Sequence, residues 1–283
     1  MHHLLQGLAF AMTEKDLENW EHFEKEIDSL VQEREEKSTT SVVGLSNYLF
    51  RGHIDSVWKL ETTLDRYVNE KLNIAKYYRD IYAAKCQIET FTGKTWNILT
   101  PPEFEKFVDE QDRFCFFEHP GLDYLIYMRH HGFPSPLLDW TRSPYVAAFF
   151  AFNNAKNAEK VSIYVFQEYA SRGKISMGNE PYIESLGSYV RSHKRHFLQQ
   201  SEYTTCALHQ GKDYFYSLHE NYFQKNDEEQ DLLWKFNIPT SERIKVLRIL
   251  DSYNLNAFSL FGNEESLMET MALREITFRN YYC

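Results

Sequence analysis

His130-His131-Gly132-Phe133-Pro134-Ser135-Pro136-Leu137-Leu138-Asp139-Trp140-Thr141-Arg142-Ser143-Pro144-Tyr145-Val146-Ala147-Ala148-Phe149-Phe150-Ala151-Phe152 is the stretch on which the fold turns. From Pro144 onward it is apolar nearly all round, the pattern of a buried helix. Proline is harmless at the first helical position, because its missing N–H has no intrahelical partner, and Thr141 or Ser143 can cap that start. Pro134–Leu138 reads as a loop or an extended segment. Arg129, His130, Asp139, Trp140 and Thr141 therefore crowd the edge of a buried helix. Asp139 needs a partner there, and Arg51 or Arg129 is the obvious candidate. The plainer alternative makes Asp139 a structural cap and His130 a packed core histidine.

Upstream, Tyr48-Leu49-Phe50-Arg51-Gly52 reads as a short buried strand stopped by glycine. Arg51 is placed to project from the strand end into a cleft, where its rigid fork suits phosphate or carboxylate. A structural arginine paired with an internal carboxylate would look the same. Downstream, the alternation in Phe197–Leu208 predicts a strand with Gln200 and Glu202 on one face. An amide and a carboxylate pointing together into a cleft can hold a ribose hydroxyl and stabilise developing positive charge. On an exposed face the same pair is merely solvated.

The remaining pattern supplies the frame. Thr13-Glu14-Lys15-Asp16 resembles a capping box, and Leu17, Trp20, Phe23, Ile27 and Leu30 follow at helical spacing, predicting an amphipathic helix over 14–36. The polar run Glu33–Ser41 reads as a linker. Helices are expected over about 68–92, over Glu103–Glu110 behind Pro101-Pro102, from about His119 to His131, from Ser241 to Tyr253, and after Gly262. Lys160–Phe166 and Leu232–Ile238 read as strands. The class is α+β: a helical N-terminal half, with a mixed β-sheet core in the second half. Residues 1–12 are expected to be a flexible leader, 13–40 the helix and linker, and 41–283 one domain.

Composition narrows the function. A net charge of −10 over 283 residues argues against a general nucleic-acid binder, because neutralising phosphates needs a basic surface. The small cluster Lys194-Arg195-His196, with Arg191 and His193, is a local exception that fits a phosphate-bearing target or a solvated face. Four cysteines without a C-x-x-C pairing read as reduced thiols of a cytoplasmic protein, and no apolar run reaches the length of a membrane span. The histidines lack metal-site spacing, so no metal is expected. There is no P-loop, no G-x-G-x-x-G and no G-x-S-x-G.

Phe50-Arg51-Gly52-His53 with Trp58-Lys59-Leu60 and Leu64-Asp65-Arg66, then His130–Thr141 followed by Pro144–Ala151, resemble the signatures of the FRG domain. Gln200 with Tyr203 and Thr204, and Ile238-Pro239 with Phe261, resemble its later segments, so the likeness runs over about residues 40–275. Where that family commonly carries Thr-Arg, this chain has Ser135-Pro136. The motif order is similar to that of ADP-ribosyltransferases. The resemblance implies that Arg51, flanked by Phe50 and Gly52, holds NAD together with Arg129, His130, Asp139 and Trp140. Thr141 would shape the nicotinamide pocket, and Gln200 and Glu202 would supply the catalytic pair. The implied activity is cleavage of NAD with transfer of ADP-ribose to a macromolecular or nucleotide acceptor, in the manner of a toxin or phage-defence effector. A rival class is a non-catalytic module that binds a phosphorylated nucleotide or small molecule through Arg51, His130 and Asp139. A third is a scaffold that docks through its N-terminal helix. An enzyme of this kind requires Glu202 and Thr141 in one cleft with Arg51. A sensor has no carboxylate near the sugar, and a scaffold exposes an apolar stripe on the 14–36 helix.

Overall fold

The computed structural model describes residues 12–40, 45–68, 71–111, 115–155, 157–168, 180–187, 194–223 and 231–279. Among them, eight strands form one mixed sheet: β1 (Met12–Asp16), β2 (Tyr48–His53), β3 (Leu138–Thr141), β4 (Lys160–Gln167), β5 (Pro181–Ser185), β6 (Ser201–Gln210), β7 (Asp213–Tyr216) and β8 (Leu232–Pro239). Their order is β1-β8-β4-β2-β3-β6-β5, with β7 also paired to β6. Every pairing is antiparallel except that of β1 with β8. β4 sits centrally because its β-branched and aromatic residues are buried on both faces.

The helices are α1 (Trp20–Thr40), α2 (Thr63–Tyr67), α3 (Ile74–Thr92), α4 (Pro101–Asp109), α5 (Leu122–His130), α6 (Pro144–Phe152), α7 (Lys194–Leu198), α8 (His219–Phe223), α9 (Arg243–Ser252), α10 (Ala257–Phe261) and α11 (Glu264–Ala272). Two apolar clusters lie side by side on one face of the sheet. The first joins α1, α6 and α9 to β2, β4 and β8. The second joins α3, α4 and α5 to β6 and β7. A third, around Leu49, Leu138, Trp140, Tyr164 and Phe166, fills the opposite face.

Gly52 explains how tightly α6 lies on the sheet. A Cβ there would stand 2.0 Å from the Ala147 carbonyl oxygen and 2.6 Å from the Ala151 nitrogen. Ala147 and Ala151, one helical turn apart, present the smooth ridge that this contact requires. Ser143 is the cap, its Oγ accepting the Val146 N–H at 3.3 Å.

Several expectations need correction. Thr13–Asp16 is no capping box: those residues belong to β1, held on β8 by ladder bonds and by Asn237 Nδ2, which donates to Glu14 and Asp16. Helix α1 starts at Trp20 behind Asn19, whose side chain accepts the His22 N–H, and it continues to Thr40 through the supposed linker. Met12 is thus part of the sheet, while 1–11 fall outside the described residues. The helix expected over 68–92 begins at Ile74, where Asn73 caps it. Phe197 and Leu198 end a helix rather than begin a strand. The helical half is also interrupted, since β1, β2 and β3 all precede Arg142. The apolar stripe of α1 is covered: Trp20 and Phe23 are fully buried, Trp20 packing on Tyr145 and Phe152.

Candidate functional site

A cavity of about 380 Å3 opens in the seam between the two clusters that share a face. Its size is at the small end of the range for small-molecule sites. β2, β3 and β6 form its floor, α5 and α6 its sides, and Arg195 of α7 and Phe261 of α10 complete the lining.

Arg51 is aimed by the local pairing. β2 and β3 share a single register pair, Phe50 with Thr141, whereas β2 and β4 are paired over six residues. In the gap between β2 and β3 the Arg51 Nη1 donates to the Asp139 carbonyl oxygen at 2.7 Å. Its Nε donates to His53 Nε2 at 3.0 Å. Nη2 has no protein acceptor among the described residues. Burial lowers the Arg51 pKa to about 10, with Asp139 opposing that shift and Arg129 and Arg66 adding to it. The guanidinium therefore stays charged at neutral pH and lacks a carboxylate of its own.

Arg129, from the last turn of α5, takes the carboxylate instead: its Nη2 donates to Asp139 Oδ2. The other oxygen, Oδ1, is shielded from solvent and has no partner. Beside this pair, Tyr203 on β6 joins His130 Nε2 at 2.7 Å and His196 Nδ1 at 3.3 Å through its hydroxyl. Burial pushes the Tyr203 pKa well up, so the phenol stays protonated and serves one histidine as donor. Arg195 lies over the Phe261 ring at 5.6 Å, and Phe150 meets the same ring edge-on at 6.0 Å. Among the described residues Arg51, Arg129 and Arg195 thus line the cavity with Asp139, beside an apolar corner made by Phe150 and Phe261.

The structure brings together Phe50, Arg51, Gly52, Arg129, His130, Asp139 and Thr141 around this space. Thr141 is engaged structurally: its hydroxyl donates to the Gln199 carbonyl at 2.7 Å and accepts the Ser143 N–H. Trp140 reaches the cavity edge, but its indole belongs to the opposite face, donating to Thr204 Oγ1 at 2.8 Å and packing on Phe166. Gln200 and Glu202 are not brought together. Gln200 is an exposed turn residue with φ 49°, before β6 starts. Glu202 pairs in register with Trp140 and therefore shares the indole's face, away from the cavity, with Arg142 at 3.7 Å. Helix α6 lines the cavity through Ala147 and Phe150 in its second turn, not through its first N–H groups.

Sequence reasoning missed Arg195, Gln199, Tyr203, Phe150 and Phe261 as a lining set. The one available signal was the basic run Lys194-Arg195-His196 just before a strand. Arg191 and His193 of that run lie outside the described residues.

The geometry defines a mixed α/β protein with an arginine-lined cavity at the seam of its core. Residues 46–160 match the model of the FRG domain. The match ends at the first residue of β4, so it contains Arg51, Arg129 and Asp139 but neither Arg195 nor Tyr203. No curated protein and no solved structure matches the chain. Among the described residues no helix is long and apolar enough to cross a membrane, and no His, Cys, Asp or Glu group is placed to hold a metal.

Proposed function

We propose that the cavity binds a phosphorylated ligand of the nucleotide class. The observation that carries this reading is Arg51: it lines the cavity with Arg129 and Asp139, and its Nη2 has no protein acceptor among the described residues. A guanidinium so oriented matches a phosphate oxygen, and a charge-assisted bond of that kind is among the stronger polar contacts. Phe150 and Phe261 offer an apolar wall for a base or comparable ring. Calorimetric titration of the protein with ADP, and with adenosine as the uncharged control, tests it. ADP should bind and adenosine should bind far less well. Arg51→Ala should weaken ADP by about a hundredfold, corresponding to roughly 2.7 kcal/mol. Equal affinity for both ligands would sink the proposal.

One observation favours a second reading, that of an ADP-ribosyltransferase-like enzyme with NAD as cosubstrate. The Asp139 side chain lines the cavity and keeps 43% of its surface exposed, so its carboxylate is open to a sugar hydroxyl. A carboxylate in that position would also stabilise the positive charge that builds on the ribose as the nicotinamide leaves and a nucleophile from the acceptor takes C1′. Asp139, not Glu202, is then the carboxylate to test. Nicotinamide release from NAD should be abolished by Asp139→Asn and left standing by Glu202→Gln. The opposite pattern would remove Asp139 from the reaction.

A further inference from the structure

We propose that His53 is a positioning residue that fixes Arg51 by accepting from its Nε as a neutral base, leaving the guanidinium charge uncompensated for the ligand. The inference rests on the reading of the cavity as a phosphate site.

Residues two apart on β2 share a face, so Arg51 and His53 lie side by side. His53 is 6% exposed, with its ring 5.0 Å from Tyr164 and 6.3 Å from Trp58. Tyr164 donates in turn to the Trp58 carbonyl at 3.3 Å, which ties the walls of this cage together. The imidazole therefore has little freedom to turn. Because Arg51 Nε donates at 3.0 Å, His53 Nε2 must carry the lone pair, and the ring proton sits on Nδ1.

The second fixed point is Nη1 on the Asp139 carbonyl. Two of the three guanidinium nitrogens are thus held by neutral acceptors, an imidazole and a peptide group. Arg129 shows the alternative: its Nη2 is bonded to a carboxylate, which cancels charge as it orients. A carboxylate at position 53 would orient Arg51 equally well and take away what the ligand needs. Imidazole supplies direction without a counter-charge. Burial, then the Arg51 charge, lowers the His53 pKa to about 3 against the Trp58 backbone, which favours the charged ring, and Arg66 and Lys235 add smaller lowering contributions. The ring remains an acceptor throughout the neutral range.

The test has two arms. In the first, protein labelled with 15N at arginine and histidine is examined by NMR without ligand. A slowly exchanging Arg51 Nε–H coupled to a non-protonated His53 Nε2 is expected, and that proton should lose protection in His53→Phe. In the second, inorganic pyrophosphate is titrated by calorimetry into variants shown to be folded by circular dichroism. His53→Phe should bind roughly tenfold more weakly, because a donor on a charged group is left unpaired. His53→Gln, whose amide oxygen can accept, should stay within about threefold of wild type. His53→Glu should lose at least as much as His53→Phe, although it can hold Nε. A protonated Nε2, or unchanged protection in His53→Phe, overturns the positioning role whether or not pyrophosphate binds. Full binding by His53→Glu overturns the neutral-acceptor argument. Absence of pyrophosphate binding by wild type, with the NMR signature present, would instead count against the phosphate site.

Discussion

The two faces of the β3–β6 ladder are built from neighbouring residues and do opposite things. On one face, Asp139, Thr141, Ser201 and Tyr203 look toward the cavity, with arginines arriving from α5, α7 and the gap beside β2. On the other, Trp140, Glu202 and Thr204 are buried, and Thr204 Oγ1 joins the Trp140 indole to His219 Nε2 of α8. Both faces are polar, and both carry a carboxylate. What separates them is access and charge: Arg129 and Arg51 hold Asp139, whereas among the described residues Glu202 has the half-exposed Arg142 at 3.7 Å. On the β3–β6 ladder strand parity, not residue type, decides which polar group can meet a ligand, whereas Arg51 shares the Tyr164 face of β2 and reaches the cavity through the gap beside β3.

Three substitutions break or sharpen that contrast. The largest effect is expected at Gly52, where the cavity face depends on α6 lying directly against β2. Gly52→Ala puts a methyl group against backbone atoms at 2.0 and 2.6 Å, and backbone cannot swing aside as a side chain can. Urea unfolding should show a loss of about 3 kcal/mol, at the upper end of overpacking costs. A loss under 1 kcal/mol would mean that α6 is not held there. Next is Thr204→Val, which acts on the sealed face alone. It leaves the buried Trp140 N–H without its acceptor and should cost about 1–2 kcal/mol, while binding of ADP in the cavity stays within twofold. A large change in binding would show that the faces are coupled through β3.

How far the sequence announced this contrast can be judged from particular residues. The buried helix α6 was legible, because a run such as Val146–Phe152 has no polar side to show to water. Arg51 and Asp139 were legible as polar residues inside apolar stretches. The face of Glu202 was not, because parity is counted from where a strand begins. The pattern in Phe197–Leu208 continues unbroken through a helix end and a left-handed turn at Gln200. The basic run with Arg195 was legible but its place at the cavity was not, for the same reason: the turn at 199–200 folds α7 back over the cavity. The strand β1 was hidden by a local coincidence. Thr13 and Asp16 have the spacing of a cap, and the partner that decides otherwise, β8, lies more than two hundred residues away. Long-range pairing of a short edge strand leaves no periodic trace.

The smallest effect is expected at Glu202, and its sign is the informative part. Burial raises the Glu202 pKa above the value of 4.5 it has when unfolded, with Arg142 partly offsetting the rise. A raised folded pKa means that the native state prefers the protonated acid. Below pH 4.5 both states are protonated and the group costs nothing. As pH climbs through the folded pKa, the native protein must ionise a shielded carboxylate whose Oε2 has no partner, and stability falls. Glu202→Gln removes that ionisation. It should be slightly more stable than wild type at pH 7 and lose its advantage as the pH is lowered toward 4, with ADP binding unchanged. Thermal unfolding of the two proteins across this range measures it. A variant less stable at pH 7 would mean that the Arg142 contact outweighs desolvation. A carboxylate held at a cost to the fold would then be excluded, and with it the physical distinction between Glu202 and the arginine-paired Asp139.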